Sequence, residues 1–250
     1  MNNILITLDT DWAPDFIIDW VAEILISYKV KATWFVTHPS PAISRLREHL
    51  NLFELGIHPN FLPNSSHGET INDVLNYCLN IVPDATCMRT HCLFQSSPLF
   101  VKIIQNTEIK IDLSLFLLGV PHLKPFEYWF NKKQLIRIPC YWEDDYEMQL
   151  PLPSWQLSKK VIEQPGLKVF NFHPIHIYLN SSTMSSYHSL KKEFPFIFEA
   201  TPSSTQKFIE KGYGTQTIFL TILQYLSSLN TSFLVQDIYQ DYYLNKIKEV

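Results

Sequence analysis

Two carboxylates stand at the end of an apolar run near the start of the chain. Asp9 and Asp11 follow the residues ILITL at 4–8 and are separated only by Thr10. Residues two apart in an extended strand point to the same side, so both carboxylates can belong to one site. Two ionised carboxylates repel each other unless a cation lies between them or one is protonated. The pair indicates a metal site or an acid–base site, although a surface turn with a helix-capping aspartate is the simpler explanation of this motif taken alone.

Histidines follow two other apolar runs in the same way. His58 comes directly after FELGI at 53–57, and His173 comes directly after VFNF at 169–172, with His176 three residues later. His67 lies nine residues beyond His58, after a Pro-Asn-Ser segment. A single histidine in such a place is more often structural than catalytic. Because the carboxyl ends of parallel strands meet on one side of a sheet, three such ends that carry acids and histidines predict one shared site.

The elements that must position these residues alternate between strands and helices. The run at 4–8 is typical of a strand buried on both faces, residues 14–25 have helical apolar spacing, and ATWFV at 32–36 predicts a second strand. Further strands are predicted near 53–57, 86–89, 109–114, 135–138 and 167–172, which makes about seven. The serine-rich residues 178–188 predict a long loop, and helices are predicted at 216–226 and 237–247. The pattern indicates a parallel α/β fold.

The composition limits the class of protein. The chain has 250 residues, of which 46% are hydrophobic, and we expect one domain over residues 1–250, with C-terminal helices from about residue 203 packed on it. A net charge of -4 without a basic stripe argues against a nucleic-acid partner. No apolar run is long enough to span a membrane and the first residues do not resemble a secretory signal, so a cytoplasmic location is expected. The sequence does not predict the oligomeric state.

Four motifs, in order, resemble those of the polysaccharide deacetylase family, which shares the NodB-homology domain. LITLDTD at 5–11 resembles its first motif, KATWFV at 31–36 the strand that follows, ELGIHPNF at 54–61 its second motif and FNFHP at 170–174 its last. The resemblance implies an incomplete, distorted parallel (β/α) barrel. It also implies that Asp9 is the general base, that Asp11 and His58 are metal ligands, and that His173 is the general acid.

The chain departs from the family pattern at several positions. Leu62 stands four residues after His58, where the family has its second histidine ligand; the resemblance then leaves His67, Asn60 or a water as the third ligand, of which His67 is preferred. MRTH at 88–91 resembles the arginine motif, in which Arg89 would orient the base and His91 takes the place of a proline.

IPCYWEDD at 138–145 stands where the family has an aromatic and acidic groove wall. Trp142 and Asp145 are therefore expected to contact the substrate, together with His91 and His176.

These assignments predict a metal-dependent deacetylase that hydrolyses the N-acetyl group of a sugar or glycan precursor, of the kind used for lipopolysaccharide or capsule. Mixed nitrogen and oxygen ligands make Zn²⁺ the expected ion. One alternative is another amide hydrolase on the same scaffold, acting on an N-acyl or N-formyl compound. A second is a sugar-binding protein without activity, against which the intact Asp9 and His173 argue.

Overall fold

The computed structural model describes residues 3–248. The strands in this part of the chain form one nine-stranded sheet. In chain order the strands β1 to β9 are Ile4–Asp9, Ala32–Val36, Phe53–Ile57, Cys87–Met88, Ile111–Asp112, Phe126–Phe130, Lys133–Arg137, Trp142–Glu143 and Lys168–Phe172. Their order across the sheet is β6-β7-β5-β4-β3-β2-β1-β9-β8. Neighbouring strands are parallel except β6 and β7, which form an antiparallel pair at one edge.

Helices connect and cover the strands. The helices α1 to α11 are Asp15–Tyr28, Pro41–Arg47, Ile71–Ile81, Ser97–Asn106, Asp144–Glu147, Lys159–Glu163, Pro174–Leu179, Ser185–Glu193, Pro202–Thr205, Thr215–Leu229 and Val235–Lys248. Proline in the first turn of several of them is favourable, because that position needs no backbone donor. Thr70 and Asp73 form a capping box at the start of α3.

The sheet curls towards a barrel, and hydrogen bonds from residues outside the named strands show this. The amide of Cys140 donates to Leu115 O at 2.7 Å, and the amide of the next residue, Tyr141, donates to Val169 O at 2.9 Å. Residues 140–141 thus form hydrogen bonds both to the segment that follows β5 and to β9. The incomplete parallel barrel implied by the resemblance is confirmed.

The two faces of the curled sheet carry separate apolar clusters. Alternation along β1 sends Leu5 into the inner cluster, while Ile4 and Ile6 join the larger outer cluster beneath the helices. In β9, Val169 is inside and Phe170 is outside in the same way. Continuous apolar strands arise because both faces must be buried.

The observed strand count exceeds the predicted seven, and the serine-rich segment is partly helical. β6 was not predicted, because it is a half-exposed edge strand, and β8 is only two residues long. Residues 178–188, predicted as a loop, contain the end of α7 and the start of α8. The apolar residues of α8 that pack inward, such as Leu190, lie beyond the serines that suggested a loop.

The C-terminal helices pack on the barrel from two directions. In α10, Phe219 packs against Phe172 of β9, with ring centroids 5.1 Å apart. In α11, Val235 and Ile238 join the inner cluster, and the amide of Val235 donates to Thr33 Oγ1 at 3.1 Å. Among residues 3–248, no helix is both long and apolar enough to cross a membrane.

Candidate active site

A tight turn after β1 separates the two aspartates. The strand ends at Asp9, and Asp11 and Trp12 then adopt left-handed backbone conformations with φ of 38° and 57°. The turn is fixed by the amide of Trp12, which donates to Thr37 Oγ1 at 3.2 Å. Asp9 and Asp11 do approach the same histidines, but a turn brings them together and not the extended alternation that the sequence suggested. Left-handed conformations of non-glycine residues carry strain and are common at functional sites.

Asp11, His58 and His91 bring their ligand atoms within 4.8 Å of one another. Asp11 Oδ1 lies 3.1 Å from His58 Nε2 and 3.3 Å from His91 Nδ1, and the two imidazole nitrogens are 3.3 Å apart. Asp11 Oδ1 is buried but has no hydrogen bond of acceptable geometry. One carboxylate oxygen and two imidazole nitrogens around a common point are a suitable ligand set for a divalent cation.

Neighbouring strands hold these two histidines. His58 directly follows β3, and its amide donates to Val36 O at 2.9 Å. The amide of His91 donates to Pro59 O at 2.9 Å. Burial alone would raise the pKa of Asp11, but the imidazoles of His91 and His58 lower it well below 3.8. The carboxylate is therefore ionised and available to a cation.

His67, the expected third ligand, lies outside this group. Its Nδ1 accepts a hydrogen bond from the amide of Asn60 at 3.1 Å, and its ring stacks on Tyr77 with centroids 4.6 Å apart. Burial lowers the pKa of His67 to about 4, so the ring is neutral. Asn60, the alternative, uses its side-chain oxygen to accept from the amide of Leu62 at 3.0 Å. The third residue of the ligand group is therefore His91, which was expected to contact the substrate, and neither His67 nor Asn60.

Asp9 lies inside the barrel, beneath the ligand group. Its Oδ1 accepts from Arg89 Nη1 at 3.1 Å and lies 3.6 Å from His58 Nδ1. Burial alone would raise the pKa of Asp9, but Arg89, His58 and His173 together lower it below 3.8. Arg89 is fully buried, and its guanidinium lies 4.7 Å from the centroid of the Phe35 ring. The arginine therefore both orients Asp9 and favours its ionised form.

Five inward-facing side chains, Arg89 and Asp9 among them, form a hydrogen-bonded group that we name the inner polar layer. This layer lies on the apolar inner cluster. All of them are buried: Thr7, Asp9, Arg89, Glu143 and Asn171. Arg89 Nη2 donates to Thr7 Oγ1 at 3.0 Å, and Asn171 Nδ2 donates to Asp9 Oδ2 at 2.8 Å. Burial and the nearby Asp145 carboxylate raise the pKa of Glu143 to about 8.

His173 faces the two aspartates from the end of β9. Its Nε2 lies 3.5 Å from Asp11 Oδ2 and 3.9 Å from Asp9 Oδ2, while its Nδ1 lies 2.7 Å from Asp144 Oδ1. Burial alone would lower the pKa of His173, but Asp144, Asp145 and Asp11 raise it well above 6.5. The ring is therefore protonated and directs one N–H towards the aspartates.

Asp144 and Asp145, with His173, form a second group of ligand atoms within 4.8 Å of one another. Asp144 already accepts from His173 and from the amide of Asp145 at 2.8 Å, so we interpret this group as a hydrogen-bonded set. Asp145 Oδ1 is buried without a hydrogen-bond partner, and burial raises the pKa of this carboxyl group. Asp145 thus lies beside His173, at the edge of the site.

Trp142 and His176 lie behind the site and not along a groove. The Trp142 ring is 6% exposed, packs against Phe172 with centroids 5.1 Å apart, and donates from Nε1 to Glu147 Oε2 at 2.9 Å. His176 is 3% exposed, and burial together with the charge of His173 lowers its pKa to about 3. Neither ring is accessible for stacking on a sugar.

A cleft of about 740 Å³ opens beside Asp11. It lies between the turns that follow β1 and β2 on one side and the end of α8 with the residues after it on the other. Its aromatic walls are Trp12, Tyr77, Tyr187, Phe196 and Phe198, and Lys191 and His38 are its basic residues. The volume is typical of a site for a small organic ligand.

Sequence reasoning missed three residues: Asp144, which contacts His173, Asn171, which contacts Asp9, and Glu143, which accepts a hydrogen bond from Asn171. Asp144 stands beside the chosen Asp145 in the EDD triplet, and the alternation along β8 could have shown that Glu143 points inward while Trp142 points outward. Asn171 lies two residues before His173, and its inward direction follows from the same rule applied to β9.

The fold and this site together define a hydrolase of the polysaccharide deacetylase class. The family model described as WbmS-like polysaccharide deacetylase matches residues 6–191. The chain belongs to this family, and it is a hydrolase that acts on carbon–nitrogen bonds.

Three solved structures are similar to this chain, and the first of them supports the fold. WbmS from Bordetella bronchiseptica, described as a polysaccharide deacetylase involved in O-antigen biosynthesis, is 28% identical at a TM-score of 0.78, covering 89% of this chain and 90% of that one. The peptidoglycan deacetylase PdaC from Bacillus subtilis is 13% identical at a TM-score of 0.47, with coverages of 99% and 94%. BA3943 from Bacillus anthracis, a pseudoenzyme of carbohydrate esterase family 4, is 17% identical at a TM-score of 0.40, with coverages of 86% and 63%. No curated protein matches the chain significantly.

Proposed function

We propose that this protein hydrolyses the N-acetyl group of a sugar in a glycan precursor and that it requires a divalent cation held by Asp11, His58 and His91. One observation carries the proposal: the ligand atoms of these three residues lie within 4.8 Å of one another, beside a buried carboxylate and a buried imidazole. The pairing of a ligand group with an acid and a base is what metal-assisted amide hydrolysis needs.

The donor set favours Zn²⁺. Two imidazole nitrogens and one carboxylate oxygen are usual for catalytic zinc, which keeps a further position open. When bound, such a cation supplies Lewis acidity to an acetamide carbonyl and to a water molecule. The buried Asp11 Oδ1 supports the presence of a cation, because it lies beside two imidazole nitrogens and forms a well-aligned hydrogen bond with neither.

Asp9 is proposed as the general base. Its ionised form is held by Arg89, so the carboxylate is ready to take a proton from the attacking water at neutral pH. Its Oδ2 faces the space in front of His173, where the two groups are 3.9 Å apart. A reacting group placed there would contact base and acid at once.

His173 is proposed as the general acid. Because Asp144 engages Nδ1, the nitrogen that faces the aspartates is Nε2, which donates the proton to the departing sugar amine. Asp144 also keeps the imidazole from rotating, since it accepts from the backbone amide of the same residue at 2.8 Å.

The substrate is proposed to occupy the cleft that begins at Asp11. Aromatic walls suit the apolar faces of sugar rings, and Tyr187 with Trp12 take the place that the sequence gave to Trp142. WbmS is described as involved in O-antigen biosynthesis, which supports a precursor of a surface glycan as the substrate class.

The test is release of acetate from a panel of N-acetylated monosaccharides, nucleotide-linked sugars and oligosaccharides by Zn²⁺-loaded protein, measured by mass spectrometry. Asp9→Asn should abolish release, whereas Asp84→Asn, at an exposed carboxylate, should not. Release of formate from N-formyl analogues, with none from acetyl compounds, would favour the other amide hydrolase. Binding of sugars without any release would contradict the proposal and support a silent binding protein.

A further inference from the structure

Asn171 uses all of its hydrogen-bonding capacity within the inner polar layer. Its Nδ2 donates to Asp9 Oδ2 at 2.8 Å and to Glu143 Oε1 at 3.1 Å. Its Oδ1 accepts from Arg89 Nη1 and, at 3.1 Å, from Thr7 Oγ1. An asparagine amide offers two donors and two lone pairs, so none is left over. The side chain is fully buried and can exchange none of these partners for bulk water.

The four contacts also fix which way the amide points. The amino group faces two carboxyl groups, and the carbonyl oxygen faces a guanidinium and a hydroxyl. The reverse orientation would place the oxygen against Asp9 and the amino group against Arg89, which is unfavourable on both sides. Asn171 is therefore a rigid element of the site.

Asp9 is held from both of its oxygens as a result. Arg89 binds Oδ1 from one side, and Asn171 binds Oδ2 from the other, which is the oxygen nearer to His173. An arginine contact on Oδ1 alone would still leave the carboxylate free to rotate about its Cβ–Cγ bond. The second contact removes that freedom.

We propose that Asn171 is a positioning residue, which fixes the Asp9 carboxylate in the orientation that faces His173 and links it to Glu143. The proposal rests on the function proposed above, in which Asp9 is the general base. It assigns a role in the reaction to a residue that does not touch the substrate. Displacement of a catalytic group by about 1 Å is enough to lower a rate by roughly 100-fold.

Two variants test the proposal, and each has a structural and a kinetic readout. Asn171→Ala removes all four contacts. Asn171→Asp keeps the shape of the side chain but replaces the amino group, with its two donors, by an oxygen that only accepts. Either variant that folds is sufficient for the test. A crystal structure of either variant should show the Asp9 carboxylate turned away from His173 by about 1 Å or more. This readout needs no substrate, so it stands even if the proposed deacetylase reaction fails.

The kinetic readout is a separation of kcat from KM. With the substrate found above, kcat should fall by roughly 100-fold, with KM changed less than about threefold and metal content unchanged. Thr205→Val is the control, because it removes the hydrogen bonds of a fully buried hydroxyl that lies outside the inner polar layer; it should lower the melting temperature and leave kcat within about threefold. An unmoved Asp9 carboxylate in both variants, or an equal loss of kcat in Thr205→Val, would overturn the proposal.

Discussion

Asp144 contacts His173 twice, once at the ring and once at the backbone. Asp144 Oδ2 accepts from the His173 amide at 2.8 Å, and Oδ1 lies 2.7 Å from Nδ1. Because Asp144 belongs to the short helix α5 after β8 and His173 follows β9, the pairing joins two neighbouring strand ends. It determines which ring nitrogen of His173 faces the aspartates.

Asp144→Asn should lower kcat by about 100-fold to 10,000-fold, the usual contribution of a well-placed general acid. The amide can still accept from the His173 backbone, so the fold should survive, but it no longer stabilises a protonated imidazole. The measurement is kcat on the substrate identified by the acetate assay. Gln149→Ala, on the exposed side of the same region, is the control, and equal activity in both variants would contradict the role of Asp144.

His58→Ala and His91→Ala should each lose bound metal, whereas His67→Ala should keep it. The first two remove a nitrogen from the ligand group, while His67 lies outside that group. Elemental analysis of protein loaded with Zn²⁺ and then dialysed gives the answer. His122→Ala, at an exposed residue, is the control. Loss of metal in His67→Ala with retention in His91→Ala would restore the ligand set expected from the sequence.

Glu143→Gln should stabilise the protein at pH 8 but not at pH 4. The pKa of Glu143 is raised from 4.5 to about 8 by burial, so the folded state keeps a proton that the unfolded chain has lost above pH 4.5. Stability therefore declines as pH rises between these values, by on the order of a few kcal/mol. Glutamine never ionises and keeps an oxygen that Asn171 can donate to.

Urea denaturation from pH 4 to pH 8 measures this effect. The difference in unfolding free energy between Glu143→Gln and the parent should grow with pH, whereas Glu108→Gln at an exposed residue should show no such trend. A constant difference across the range would mean that the pKa of Glu143 is the same in the folded and the unfolded protein.

Gly56→Ala should destabilise the fold by about 1–3 kcal/mol, because it overpacks the barrel interior. A Cβ at this position would lie 2.7 Å from Cys87 Sγ and 2.8 Å from the Phe35 ring. Thermal denaturation should show a lower melting temperature than that of Ser227→Ala, a change at an exposed residue of α10. An unchanged melting temperature would show that β3 and β4 can move apart.

The sequence was informative where burial controls the pattern. β1, β2, β3 and β9 are mainly apolar and almost wholly buried, and Asp9, His58 and His173 at or directly after the ends of β1, β3 and β9 lie close together in the structure. The strand-end rule needs no knowledge of side-chain packing.

It was less informative where a loop or a turn decides the geometry. The choice between His67 and His91 depends on the path of residues 59–67 and 89–91, which no periodicity encodes. Trp142 was misplaced and Asp144 was missed because β8, only two residues long, was not predicted as a strand, so the alternation rule was not applied to it. At these positions the packing of neighbouring strands determines which side chains point into the site.

The last helix has a consequence for where this fold can be divided. The family match stops at residue 191, yet Val235 and Ile238 close the barrel at the end opposite the catalytic groups, and the amide of Gln236 is anchored by Glu54 Oε2 at 3.1 Å. A shortened chain that keeps every motif but lacks α11 would let water enter the barrel from below. The floor of the barrel is thus supplied by residues that carry none of the site's chemistry, and the part of the chain that supports the site extends beyond the residues that the family model matches.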